Sequence, residues 1–145
     1  MFLCRVKNFI LTATALLLAL FFGVFARFTA VSRFSELDRR RSFYLDSTSS
    51  QALVKNELSP LDIFRIKGES VAFAVANREE TLSSIVDLYG AELLFVERAG
   101  GSVSYYCVTD KWTEGVSING VFVNLHIAFN GGLCAVGAPL IFGGF

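Results

Sequence analysis

The chain has one histidine, His126, and an imidazole acting as a general base needs a nucleophile beside it and an acid to orient it. Asn124 stands two residues earlier, so an extended strand turns both side chains to one face. No order of Ser, His and Asp converges on that pair, and no catalytic residue is expected. His126 and Asn124 then read either as sheet residues satisfied by hydrogen bonds or as contacts to a ligand or partner. Tyr105, Tyr106 and Trp112 are aromatic residues of the kind that anchor recognition patches and could contact a peptide or glycan, with ordinary sheet and turn packing as the alternative. Phe142 belongs to the terminal segment Ala138 to Phe145, which carries no charge and must either pack back on the body or face a partner.

Metal chemistry fails on spacing. One His and three dispersed cysteines, Cys4, Cys107 and Cys134, make no ligand cluster, and Glu79-Glu80 lacks the glycine-bearing oxygen pattern of a calcium loop. The glycine pairs at 100–101, 131–132 and 143–144 precede no helix, so they read as turns or a chain end rather than a phosphate cradle. No metal or cofactor is expected. Cys107 and Cys134 could pair in an oxidising compartment or remain as two buried thiols.

The elements that would position these residues follow from periodicity. Val71, Phe73 and Val75 share one face of a strand and Ala72, Ala74 and Ala76 the other, and the bare alanines predict a back on which a helix can lie. Lys67-Gly68-Glu69 before it reads as a turn. Asn77 is a helix cap, with Glu80 three positions on; Leu82, Ile85, Val86 and Tyr89 form one stripe, and Gly90 supplies the left-handed stop, giving a helix over 78–89. Leu93 to Val96 and Ser102 to Val108 are strands about the turn Arg98 to Gly101. Val116 to Ile118 turns at Asn119-Gly120 into a strand with Val121, Val123, Leu125, Ile127 and Phe129 on one face and Phe122, Asn124, His126 and Ala128 on the other. Asn130-Gly131-Gly132 returns the chain into a last strand that Pro139 places at an edge or a bend, where strand addition could build an oligomer. The fold class is α+β, an antiparallel sheet backed by one main helix.

Ahead of this body, Arg5 and Lys7 precede an apolar run of 18 residues from Phe9 to Ala26, long enough for a signal peptide or a membrane anchor. The division expected is therefore residues 1–26 as signal peptide or anchor, 27–60 as a connector and 61–145 as the α+β domain. The connector is basic and then rich in Ser and Thr. Arg27 to Leu45 could continue as a helix through Phe28, Val31, Phe34 and Leu37, and Ala52 to Leu58 could add a short one before Pro60. Arg27, Arg33 and Arg39 to Arg41 oppose export under the positive-inside rule, while the order basic, apolar, polar favours it. The expectation is a cell-membrane protein with an extracytoplasmic domain, or a secreted one if cleaved near Ala26.

A formal net charge of zero conceals an acidic body: residues 68–145 carry Arg78, Arg98 and Lys111 against Glu69, Glu79, Glu80, Asp87, Glu92, Glu97, Asp110 and Glu114. Nucleic acid demands the opposite sign, so it is not an expected partner.

The segment Asn124-Leu125-His126-Ile127-Ala128, followed by Gly137-Ala138-Pro139-Leu140-Ile141 and the aromatic Phe145, resembles the YwmB-like family of endospore-forming Firmicutes. Tyr105-Tyr106 and the stretch from Leu82 to Phe95 add to the likeness, which covers about residues 70–145. The resemblance implies a fold like that of the TATA-box-binding protein, an exported or anchored protein, a link to sporulation and no established enzyme activity. It does not carry DNA binding onto an acidic domain. The function expected is a non-enzymatic cell-envelope module that contacts another envelope protein or a second copy of itself. The rival is a small-ligand binder or enzyme around His126.

Overall fold

The computed structural model describes residues 2–31, 33–37, 41–46, 53–59 and 61–142. They form two compact units, residues 1–32 and 33–145. The first is one α-helix, α1 (Phe2–Val31). Its stretch Val6–Ala26 is long and apolar enough to cross a membrane, a property that a signal sequence near an N-terminus shares. Thr12 and Thr14 return their hydroxyls to the carbonyls of Asn8 and Ile10, which satisfies them within the helix.

The second unit is α+β. It contains strands β1 (Arg41–Leu45), β2 (Leu53–Lys55) and β3 (Ile66–Ala74), helix α2 (Arg78–Tyr89), then β4 (Glu92–Ala99), β5 (Ser102–Val108), β6 (Val116–Ile118), β7 (Val121–Val123), β8 (Leu125–Asn130) and β9 (Leu133–Ala138). Seven strands make one sheet in the order β2-β1-β3-β9-β8-β5-β4, and β6 and β7 form a separate hairpin. Every neighbouring pair is antiparallel. Because β3 and β4 are separated by β9, β8 and β5, they run parallel, and α2 is the crossover between them.

Helix α2 occupies the predicted residues for the predicted reasons. The Asn77 side chain accepts from the amides of Glu79 and Glu80, and Gly90 closes the helix with φ of 55°. Ile85 and Tyr89 bury against Val71, Cys107, Leu125, Ile127, Phe129, Cys134 and Val136, with Leu82 and Val86 partly buried beside them. The helix therefore covers the large-residue face of β3, whereas Ala72 and Ala74 stay exposed on the other. The expectation that the alanines would receive the helix is reversed. Large side chains supply the apolar area that drives docking, and alanines alone supply little.

Five other expectations are corrected. Arg41–Leu45 and Leu53–Lys55 are strands, not helix, because β1 finds a partner in β3 on one side and β2 on the other. The body therefore reaches back to Arg33, not to residue 61, and the segment read as a connector supplies two of its strands. Most of the Ser/Thr-rich stretch, residues 47–52, and Pro60 lie outside the described residues. Lys67-Gly68-Glu69 is part of β3, and the turn precedes it at Asp62–Arg65. The long strand from Val121 onward is broken at Asn124 into β7 and β8, which belong to different sheets. Finally, β9 is the middle strand of the sheet rather than an edge, the edges being β2 and β4; of the two expected courses at Pro139 the chain takes the bend, leaving the sheet after Ala138 to fold back over Gly137. Strand addition through the last strand is thereby closed.

Candidate functional site

The back of the sheet, opposite α2, carries a row of three rings from three strands. Phe95 stacks on Tyr106 with centroids 4.5 Å apart, and Tyr106 stacks on His126 at 4.5 Å. Register explains the row: Phe95 pairs with Tyr106 and Tyr106 with His126. Phe95 reaches this face only because the β4–β5 ladder is irregular between Leu93 and Phe95, where an extra residue reverses the alternation. Periodicity alone could not have found it. Tyr106 was legible as a strand residue and, with Tyr105 and Trp112, as an aromatic of the recognition kind; its phenol donates to Glu97 at 3.0 Å. Burial and that carboxylate together push its pKa up.

His126 closes the row against the end of the chain. It pairs with Gly137 on β9, and the residues after β9 fold back over that glycine. A Cβ on Gly137 would lie 2.6 Å from the carbonyl carbon of Leu140 and 2.7 Å from the amide nitrogen of Ile141, so no other residue admits this path. Gly68 serves the same purpose beside Ala138 and Pro139. The Ile141 amide donates to His126 Nδ1 at 3.3 Å, and the ring's Nε2 is buried without a hydrogen-bond partner. Burial lowers the imidazole's pKa to about 4, so the ring is neutral at pH 7. Phe142 continues the tail and meets Tyr44 edge-on at 4.7 Å. Tyr44 in turn shares a 2.7 Å hydroxyl bond with Ser70.

The other expected site residues lie elsewhere. Asn124 is fully buried and tied to main chain three times: it accepts from the Thr109 amide at 2.8 Å and donates to the carbonyls of Thr109 and Trp112, each at 2.7 Å. It is a latch that holds the loop after β5 to the junction of β7 and β8. Tyr105 faces the core, edge-on to Phe129. Trp112 completes an aromatic trio with Phe34 and Tyr89, and the Arg33 guanidinium lies 5.7 Å above its ring. Of the five expected residues, Asn124 and Trp112 are joined by the hydrogen bond to the Trp112 carbonyl, and His126 and Phe142 are linked through the tail on the back, where Ile141 binds His126 and Phe142 follows it.

No family model, curated protein or solved structure matches the chain. What the site can do rests on its own chemistry. His126 presents no open nitrogen to a substrate, and the polar groups of Asn124 are spent. Among the described residues no group of His, Cys, Asp and Glu could hold a metal ion. Cys107 and Cys134 are free thiols in the core, on strands separated by β8, which sets their backbones about 10 Å apart or more, beyond the reach of a disulfide. Burial pushes their pKa values up to about 11 and about 12, so they remain protonated and unreactive.

A second polar cluster escaped sequence reading because its members are far apart in the chain. Glu69 is buried on the α2 side of β3, accepts from the Arg33 amide at 2.8 Å and faces Arg41 Nε at 3.4 Å. Burial raises its pKa, and the two arginines counter part of that rise. The Arg33 side chain reaches Glu114. The cluster fastens the first residues of the body, Arg33 and the buried Phe34, under α2.

Proposed function

We propose that this chain is a non-enzymatic module of the cell envelope, carried on its N-terminal apolar helix with the body extracytoplasmic, and that it works by contact with another envelope protein. The observation that carries this reading is the division of the sheet's back. One half is covered by the chain's own tail, and the other is left as a shallow apolar strip where Ala72 and Ala74 are exposed beside Leu133, which is 51% exposed and pairs with Ala74. Small side chains flanking one large one suit a flat partner surface better than an enclosed substrate. The link to sporulation and the YwmB-like likeness belong to the same proposal, since both concern an exported body with no catalytic machinery.

The enzyme alternative needs His126 as its base, and the tail lies across that ring. A photo-crosslinking residue at Leu133 in native membranes tests the reading, with Ser83 on the exposed side of α2 as control. A discrete heavier adduct from position 133 and none from 83 is expected. Only uncrosslinked monomer from both would overturn it.

A further inference from the structure

The last described residues, Leu140, Ile141 and Phe142, are half-buried and carry no charge. Two contacts hold them to the back of the sheet, the Ile141 amide on His126 Nδ1 and the Phe142 ring on Tyr44. These anchors stand on either side of β9, His126 on β8 and Tyr44 on β1. The hold on His126 is sensitive to protons. Because Nδ1 accepts from Ile141, the neutral ring carries its one proton on Nε2, which is buried without a partner in a residue only 8% exposed. A second proton has to enter at Nδ1, where it meets the Ile141 N–H. Two donors cannot share that contact, and the imidazolium would find no acceptor on either nitrogen. Its surroundings offer the charge no relief: β5 brings the neutral Tyr106, whose phenol is committed to Glu97 of β4, β9 brings Gly137, β8 itself brings the neutral Asn124, and residues 139–142 bring nothing ionisable. Burial accordingly lowers the ring's pKa to about 4. Closure of the tail and protonation of the ring exclude one another.

We infer that residues 140–142 form a strap over the back of the sheet that protonation of His126 releases while the sheet stays folded. The ladders that hold β9 between β3 and β8 end at Ala138 and Gly137, so they do not depend on the strap. The core beneath α2 lies on the other face. Release uncovers His126 and Tyr44 together and turns the covered half of the back into open apolar surface. The strap belongs to the body alone, and its working does not depend on the envelope reading.

The test follows amide hydrogen exchange of the full chain in detergent micelles by NMR, with the intrinsic pH dependence of exchange divided out. A ring that titrates at the ordinary 6.5 when released and at about 4 when covered makes release about fiftyfold more frequent at pH 4.5 than at pH 7. Protection of the Ile141 amide is expected to fall by that factor, while the near-UV circular dichroism and the emission of Trp112, packed on Phe34 and Tyr89, stay unchanged. His126→Gln keeps an acceptor that does not titrate, so its Ile141 protection should be the same at both pH values. Constant protection in the wild type overturns the inference, as does an equal fall in His126→Gln. A fall accompanied by loss of the Trp112 and circular dichroism signals is unfolding of the body, which also overturns it. Should His126→Gln not fold, Phe142→Ala takes its place by removing the Tyr44 anchor: the His126 ring must then titrate nearer 6.5 than in the wild type, and an unmoved midpoint overturns the strap.

Discussion

His126 and Asn124 are two positions apart and were read as one polar face, yet they do unrelated work. A buried neutral imidazole with its pKa lowered from 6.5 to about 4 has a defined pH signature. The unfolded chain binds the proton between those values and the folded chain does not, so stability is full above pH 6.5 and falls as pH drops toward 4, by about 3 kcal/mol. Glu69 has the opposite sign: its raised pKa removes stability as pH climbs above its unfolded value of 4.5. The difference between wild type and His126→Gln isolates the histidine. Urea unfolding at pH 7 and pH 4.5 should show a smaller acid loss in the variant. Asn124→Ala should cost about 3 kcal/mol at either pH, because it strands one buried amide and two carbonyls. Sequence could name these residues as polar and strand-borne, but could not separate them. The break between β7 and β8 at Asn124 is a tertiary event, set by the loop that Asn124 holds, and it erases the alternation that joined the pair.

Among the elements, α2 was legible to the residue because its cap, stripe and stop are all local. The hairpins at Gly100-Gly101 and Asn119-Gly120 were legible for the same reason, both turns having positive φ. β1 was not, since Phe34, Leu37 and Arg41 also satisfy a helical spacing and the choice falls to β3, more than twenty residues downstream. The path of the tail was half legible: an apolar end must be covered, but only the structure reveals that its own sheet covers it through Phe142. Gly137→Ala tests that path. The added methyl collides with Leu140 and Ile141, so the tail should lift, the Ile141 amide should exchange with solvent deuterium at least tenfold faster, and His126 should titrate closer to 6.5 by NMR.

At the scale of the molecule, the boundary of the folded body is the main point on which sequence and structure part. Composition suggested a domain from residue 61, whereas Phe34 is fully buried and β1 and β2 complete the sheet. A chain starting at Leu61 should therefore show no cooperative urea transition by near-UV circular dichroism, and one starting at Arg33 should keep it. The shorter piece also strips Glu69 of Arg33 and Arg41, leaving a buried carboxylate without its cations.

The position of β9 sets how the two halves of the sheet are joined. Among the described strands it alone pairs with both β3 and β8, so the ladders of β2-β1-β3 and β8-β5-β4 meet through residues 133–138. A proline placed within those residues would unzip that seam and leave the union of the halves to side chains, among them Val71 beneath α2 and the Arg33–Glu114 pair.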